Sequence, residues 1–304
     1  MWGAVLCLIL AGCSGSTPST PTSPAPVPVV VPPPAPAPAP SPLPPAPVLA
    51  TVIDVTFEAS SVTSGQPVQA VVTVASPAPA GLLVWLTTSH PLASAPVSVS
   101  IPEGQTRGTF VVSTQAAIVD TTVTIRASSG TSERTATLRL IAPPPQASGG
   151  SFLRVISHPQ DPVGQGQSLR FEPSNSVQFR GVVGTYRLGT SFEHSLELTI
   201  IEGPPRAPAF WMLVLAAPRG QRLVPGVYRN ARSTPESGGP ALSFSGGSRG
   251  CISSGEFEIF EAQYAPRSPS GERIDRLVAR FRQTCGGATG ELSGEVSVSN
   301  VPSS

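Results

Sequence analysis

From Ile53 to Ser299 the chain consists of short runs in which apolar and polar residues alternate, and turn-forming residues close almost every run. Ile53-Asp54-Val55-Thr56-Phe57-Glu58 is the plainest case, with one apolar and one polar face. A period of two is that of a strand with one side buried, whereas an amphipathic helix needs apolar residues at i, i+3, i+4 and i+7. No convincing helical spacing occurs, so the expected fold class is all-β: two β-sandwich-like modules. In the first, residues 50–142, further strands are expected at 68–74, 82–86, 97–101, 109–113, 122–127 and 135–141. Turn signals separate them at Ser64-Gly65, Pro77 to Gly81, Pro102-Glu103-Gly104 and Ser128-Ser129-Gly130. Trp85 falls in one of these strands and is read as a packing residue, a glycan platform being the less favoured role. A linker at 143–150, beginning Pro143-Pro144-Pro145, leads to the second module, residues 151–304. Its strands are expected at 152–156, 168–172, 177–180, 196–202, 210–216, 226–229, 242–245, 255–264, 274–284 and 292–299.

The amino-terminal sixth of the chain has a different character. Residues 1–12, MWGAVLCLILAG, are uncharged and almost wholly apolar, too short to span a bilayer but suited to the apolar region of a signal peptide. Residues 13–49 are dominated by Pro, Ala, Val, Ser and Thr and carry no charge. Proline fixes φ and removes the amide donor, so this segment is expected to be a polyproline II stalk, extending about 3.1 Å per residue and on the order of 100 Å in all.

Leu10-Ala11-Gly12-Cys13 resembles the lipobox of bacterial lipoproteins. The resemblance implies cleavage before Cys13, acylation of that residue, and attachment to a membrane. Ser14 at the next position implies, by the same likeness, the outer membrane or cell surface. Within residues 50–142, Ser61-Val62-Thr63-Ser64-Gly65-Gln66, Ser89-His90-Pro91 and Ile101-Pro102-Glu103-Gly104 are similar to the Ig-like, Calx-β-like repeats of bacterial surface proteins. That likeness implies a spacer or adhesive unit. The acidic runs that bind calcium in such repeats are absent, since Asp54, Glu58, Glu103, Asp120 and Glu133 stand singly. The second module resembles an uncharacterised β-rich module of secreted bacterial proteins through Val163-Gly164-Gln165-Gly166-Gln167, Arg249-Gly250-Cys251 and Gln283-Thr284-Cys285.

One hairpin is specified in more detail. If Ser268 to Gly271 is its turn, Glu256 faces Arg282 and Glu258 faces Arg280, while Phe257, Ile259 and Phe281 share the opposite face. Two cross-strand ion pairs on the outside and an apolar inside are therefore expected. The same register brings Cys251 to within about two residues of facing Cys285, and the even cysteine count of an exported chain predicts a disulfide between them.

No constellation of catalytic residues emerges. Gly246-Gly247-Ser248-Arg249-Gly250 has the G-x-S-x-G pattern, but no helix pattern or downstream histidine follows it. Glu256 and Glu258 share a strand face, yet facing arginines would keep both ionised, which does not suit a general acid. His90, His158 and His194 have no metal-ligand spacing. The net charge of +1, with nineteen arginines scattered along the chain, offers no field for nucleic acid. The expectation is a lipid-anchored, non-enzymatic binding or structural protein without metal or cofactor, whose partner is the membrane and a surface protein or polysaccharide. A hydrolase with an unrecognised site and a carbohydrate-binding module are the alternatives.

Overall fold

The computed structural model describes residues 49–145, 150–174, 176–188, 190–204, 206–234, 238–265 and 274–299. Cys13, the stalk and the Ser268 to Gly271 turn lie outside them. The described chain is all-β.

The first module contains β1 (Val52–Phe57), β2 (Ser61–Thr63), β3 (Val68–Val74), β4 (Leu83–Thr88), β5 (Ala93–Ser94), β6 (Ser98–Ser100), β7 (Arg107–Thr114), β8 (Thr121–Ser129) and β9 (Ser132–Ile141). They form two sheets, β1-β3-β7-β5 and β2-β9-β8-β4-β6. The alternation read from the sequence is what packs these sheets. Val68, Ala70, Val72 and Val74 of β3 and Val123, Ile125 and Ala127 of β8 are buried, with polar or half-buried residues between them. The chain changes sheet between β1, antiparallel to β3, and β2, parallel to β9. Gly130, at φ +60°, begins the two-residue turn from β8 to β9, a conformation glycine adopts without steric cost.

The second module contains β10 (Phe152–Ser157), β11 (Ser168–Phe171), β12 (Val177–Leu188), β13 (Thr190–Glu202), β14 (Ala209–Ala216), β15 (Gly226–Arg232), β16 (Ala241–Gly246), β17 (Ser253–Tyr264), β18 (Ile274–Cys285) and β19 (Glu291–Ser299). All ten belong to one sheet, in the order β11-β10-β19-β18-β17-β15-β16-β14-β13-β12. The sheet reaches a sandwich-like layering by folding over itself. Phe171 of β11 meets Trp211 of β14 at 5.5 Å between ring centroids, although six strands lie between them in the sheet. Trp211 stacks on Phe244, which meets Phe281, so an aromatic row runs through the core. Gly294 lies opposite Phe281 in the ladder, and the phenyl ring covers the place a Cβ would occupy.

Inserting β15 between β16 and β17 interrupts their pairing, and polar side chains complete the backbone bonding there. Gln283, fully buried on β18, accepts from the Phe244 amide at 2.7 Å and donates to the Phe244 carbonyl at 3.0 Å. Ser253 Oγ donates to the Leu242 carbonyl at 3.0 Å. Buried backbone groups need such partners, and these two polar side chains among apolar strands mark where the ladder fails to supply them.

Trp85 departs from its expected packing role. Val84 and Leu86 point into the sandwich, so Leu83 and Trp85 point out, and Trp85 is 53% exposed. Four successive apolar residues, Leu83 to Leu86, leave the period-two register ambiguous, and the smaller aliphatic pair took the interior.

Candidate functional site

The β17–β18 hairpin has the expected register: Glu256 faces Arg282, Phe257 faces Phe281 and Glu258 faces Arg280. Phe257, Ile259 and Phe281 are buried in the core. Cys251 and Cys285 form a disulfide with their Cα atoms 5.6 Å apart. Cys285 faces Ser253 in the ladder, and a bend at Ile252, whose carbonyl accepts from the Gly286 amide, brings Cys251 across.

The ion pairs differ from expectation. Arg282 reaches Glu291 at 3.8 Å and Arg280 reaches Glu295 at 3.5 Å, both on β19, and Glu256 lies 3.9 Å from Arg229. Glu258 has no ion pair among the described residues. The cause is tertiary: the first module and the start of the linker cover this outer face and draw the two guanidinium groups toward their backbone. Arg280 Nη2 donates to the Pro143 carbonyl and Arg282 Nη2 to the Asp120 carbonyl, each at 2.6 Å. Arg154 on β10 adds a bond to the Ala116 carbonyl at 3.1 Å, and Ile156 of β10 is buried in the core of the first module. The face predicted to be solvated is thus a docking face, with Arg280 and Glu295 left 10% and 6% exposed at their side chains.

Two cavities flank these contacts. The larger, about 740 Å³, lies between the Asp120–Arg139 pair and Pro143–Pro145 on one side and Arg229, Glu256, Glu258 and Phe260 on the other. The smaller, about 360 Å³, is polar and is lined by His90, Asp120 and Thr122 from the first module and by His158, Arg282 and Glu291 from the second. Asp120 and Arg282 border both.

The charges at the junction are closely matched. Asp120 Oδ1 accepts from the Ala142 amide at 2.9 Å, and Arg139 lies 2.6 Å from its other oxygen. The amide bond, with the arginines behind it, holds the Asp120 carboxyl below its usual range against the opposing effect of burial. Glu291 moves the other way, because burial raises it more than Arg282 and His158 lower it. Burial, reinforced by the nearby His158, brings His90 down to about 4.

His90 and His158, read as unrelated in the sequence, meet at this junction with ring centroids 5.5 Å apart. They occupy equivalent local structures. His90 Nδ1 accepts from the Leu92 amide and His158 Nδ1 from the Gln160 amide, each at 3.1 Å. Both belong to a Ser-His-Pro tripeptide, 89–91 and 157–159, and that repeat is the signal that was available. Asp120, Arg229, Glu291 and Glu295 join the site with no comparable signature. No group of three or more His, Cys, Asp or Glu side chains suited to a metal occurs among the described residues.

The G-x-S-x-G segment is a tight turn: Ser248 has φ 63°, and the Gly246 amide donates to the Arg249 carbonyl. The disulfide loop follows it, not a helix. The chemistry assembled at the junction is that of a clamp, with arginines holding carboxylates and foreign carbonyls.

No protein-family model matches the chain, and no curated protein matches it. Among solved structures it is similar to domains 4–9 of the surface layer protein SbsC, at 12% identity and a TM-score of 0.23. The match covers 82% of this chain and 31% of that one, and so weak a likeness carries no functional argument.

Proposed function

We propose that this is a lipid-anchored cell-envelope protein of binding or structural type, attached through Cys13, in which the two β modules act as a single head. The observation that carries the structural reading is the joint: Arg154 and Arg282 cross from the second module to backbone carbonyls of the first, and Arg280 reaches the start of the linker at Pro143. A head locked in this way transmits position, whereas an enzyme cleft closing on substrate needs a hinge. The carboxylates Asp120 and Glu256 are engaged by arginines, which suits docking better than proton transfer.

The intact mass of the protein purified from its native membrane, with and without reduction, tests the anchor. A chain beginning at Cys13 with a diacylglyceryl addition, gaining the mass of two hydrogens on reduction, is the expected result. An unlipidated chain cut elsewhere refutes the anchor and leaves a freely secreted two-module protein.

A second reading, carbohydrate binding, is favoured by Trp85. It stands on the outer face of β4 beside Leu83, which is 42% exposed, and near Val97, which is 71% exposed. An exposed indole on a flat sheet can stack on a sugar ring. Sedimentation with insoluble envelope polysaccharides tests it: binding lost in Trp85→Ala supports the reading, and no binding by the native protein removes it.

A further inference from the structure

We propose that the two Ser-His-Pro turns make the joint between the modules acid-releasable, protonation of His90 against His158 and Arg282 driving the first module off the second. The geometry supplies two reasons, each tied to a different contact.

The first is the hydrogen bonding of the rings. Because each Nδ1 accepts a backbone amide, each neutral imidazole carries its proton on Nε2. A second proton must go to Nδ1, where it removes the acceptor and sets two N–H groups against each other. The turn that fixes the first-module loop, at Leu92, loses a bond at the moment the His90 ring becomes charged.

The second is mutual repulsion. The rings are 5.5 Å apart on opposite sides of the joint, with Arg282 lining the same cavity. A charge placed on His90 is therefore disfavoured by His158 across the joint, and moving the modules apart relieves that opposition.

The carboxylates that line this cavity are Asp120 and Glu291. Asp120 is already committed to the Ala142 amide and Arg139, so it is poorly placed to neutralise a protonated ring. Burial raises Glu291, so the docked state takes up its proton more readily than the released one; this opposes release, and the charge on His90 must outweigh it.

The direction follows from linkage. Docking holds His90 at about 4 against 6.5 for a free ring, so the docked state binds the proton less readily than the released one. Docking is strongest above pH 6.5 and weakens as pH falls toward 4. The ring is only partly buried, so solvent screening reduces the effect; a shift in the docking equilibrium on the order of 30-fold at pH 4.5 is expected.

Hydrogen exchange by mass spectrometry on the full chain in detergent micelles, corrected for intrinsic rates, tests this. Between pH 7.5 and 4.5, amides of the joint loop 116–120 should exchange on the order of 30-fold faster, while β3 and β7 inside the first module, and β10, paired with β11 and β19 inside the second, stay protected. The variant His90→Asn/His158→Asn keeps an acceptor for the amide two residues on but does not titrate, and it should stay docked. In the unmodified protein, the opening midpoint should coincide with protonation of His90, followed by NMR of the imidazole protons. Unchanged exchange in the native protein, equal opening in the variant, simultaneous loss of protection in β3, β7 and β10, or opening at a pH where His90 does not titrate each overturns the proposal.

Discussion

Replacing Arg280 by methionine tests whether the outer face of the second module is a docking face or a solvated one. Methionine keeps an unbranched apolar stem of similar length, so the substitution removes the charge and its bonds with little change in packing. Two polar contacts are lost, besides the guanidinium's position 5.6 Å from the centroid of the Phe260 ring. The bond to the Pro143 carbonyl, at 2.6 Å, is charge-assisted and contributes about 1.5–3 kcal/mol. The carboxylate of Glu295, 6% exposed, loses the cation 3.5 Å away. Breaking one side of a buried pair costs about 3–5 kcal/mol, because the remaining charge stays desolvated. The two figures overlap, since both include stranded polar groups, so a total of about 3–5 kcal/mol is expected. For a unit of this size that corresponds to a fall in Tm of about 10 °C.

The double variant Arg280→Met/Glu295→Leu removes the buried carboxylate as well, and should recover about 2–3 kcal/mol of the loss. Urea unfolding of the native protein, both single variants and the double variant gives the coupling directly. An exposed Arg280 paired with Glu258 would behave differently, costing about 0–1 kcal/mol. A loss below about 1 kcal/mol for Arg280→Met, or strict additivity in the cycle, refutes the buried-joint reading.

Other substitutions probe separate parts of the fold. Cys251→Ser/Cys285→Ser opens a loop with a sequence separation of 34 residues, and the chain-entropy estimate is a loss of about 3–4 kcal/mol, measurable by denaturant unfolding. Gln283→Leu leaves the buried amide and carbonyl of Phe244 without their partners, at about 1–3 kcal/mol for each group, and the Phe244 amide should lose protection in hydrogen exchange. Trp85→Ala should lower thermal stability by less than about 1 kcal/mol, against the 3–5 kcal/mol of a buried tryptophan, because half of the side chain already lies in solvent.

Most of the strands were legible in the sequence because their alternation is a local property: each strand meets its neighbours through one face, and that face is written in every second residue. The β17–β18 hairpin went further, since Phe257, Ile259 and Phe281 inside and the two charged pairs outside agree on one register. Even there, sequence could place Glu256 opposite Arg282 but not predict that Glu291 and the Asp120 carbonyl would take the arginine. Ladder position depends on the hairpin alone; where a long guanidinium turns depends on every surface brought against it. Trp85 shows the limit within a single strand, because four apolar residues in a row carry no period.

What the sequence determined by itself is therefore most of the strands, β2 and β5 excepted, together with most turns, the hairpin register and the proximity of the two cysteines. All of these rest on local periodicity or on pairing across one turn. The tertiary structure alone decided that one ten-stranded sheet folds over itself, that a polar outer face becomes a joint, and that His90 and His158 meet. Docking two finished modules depends on shape and on a few long side chains reaching foreign backbone, and neither imposes a repeat on the chain.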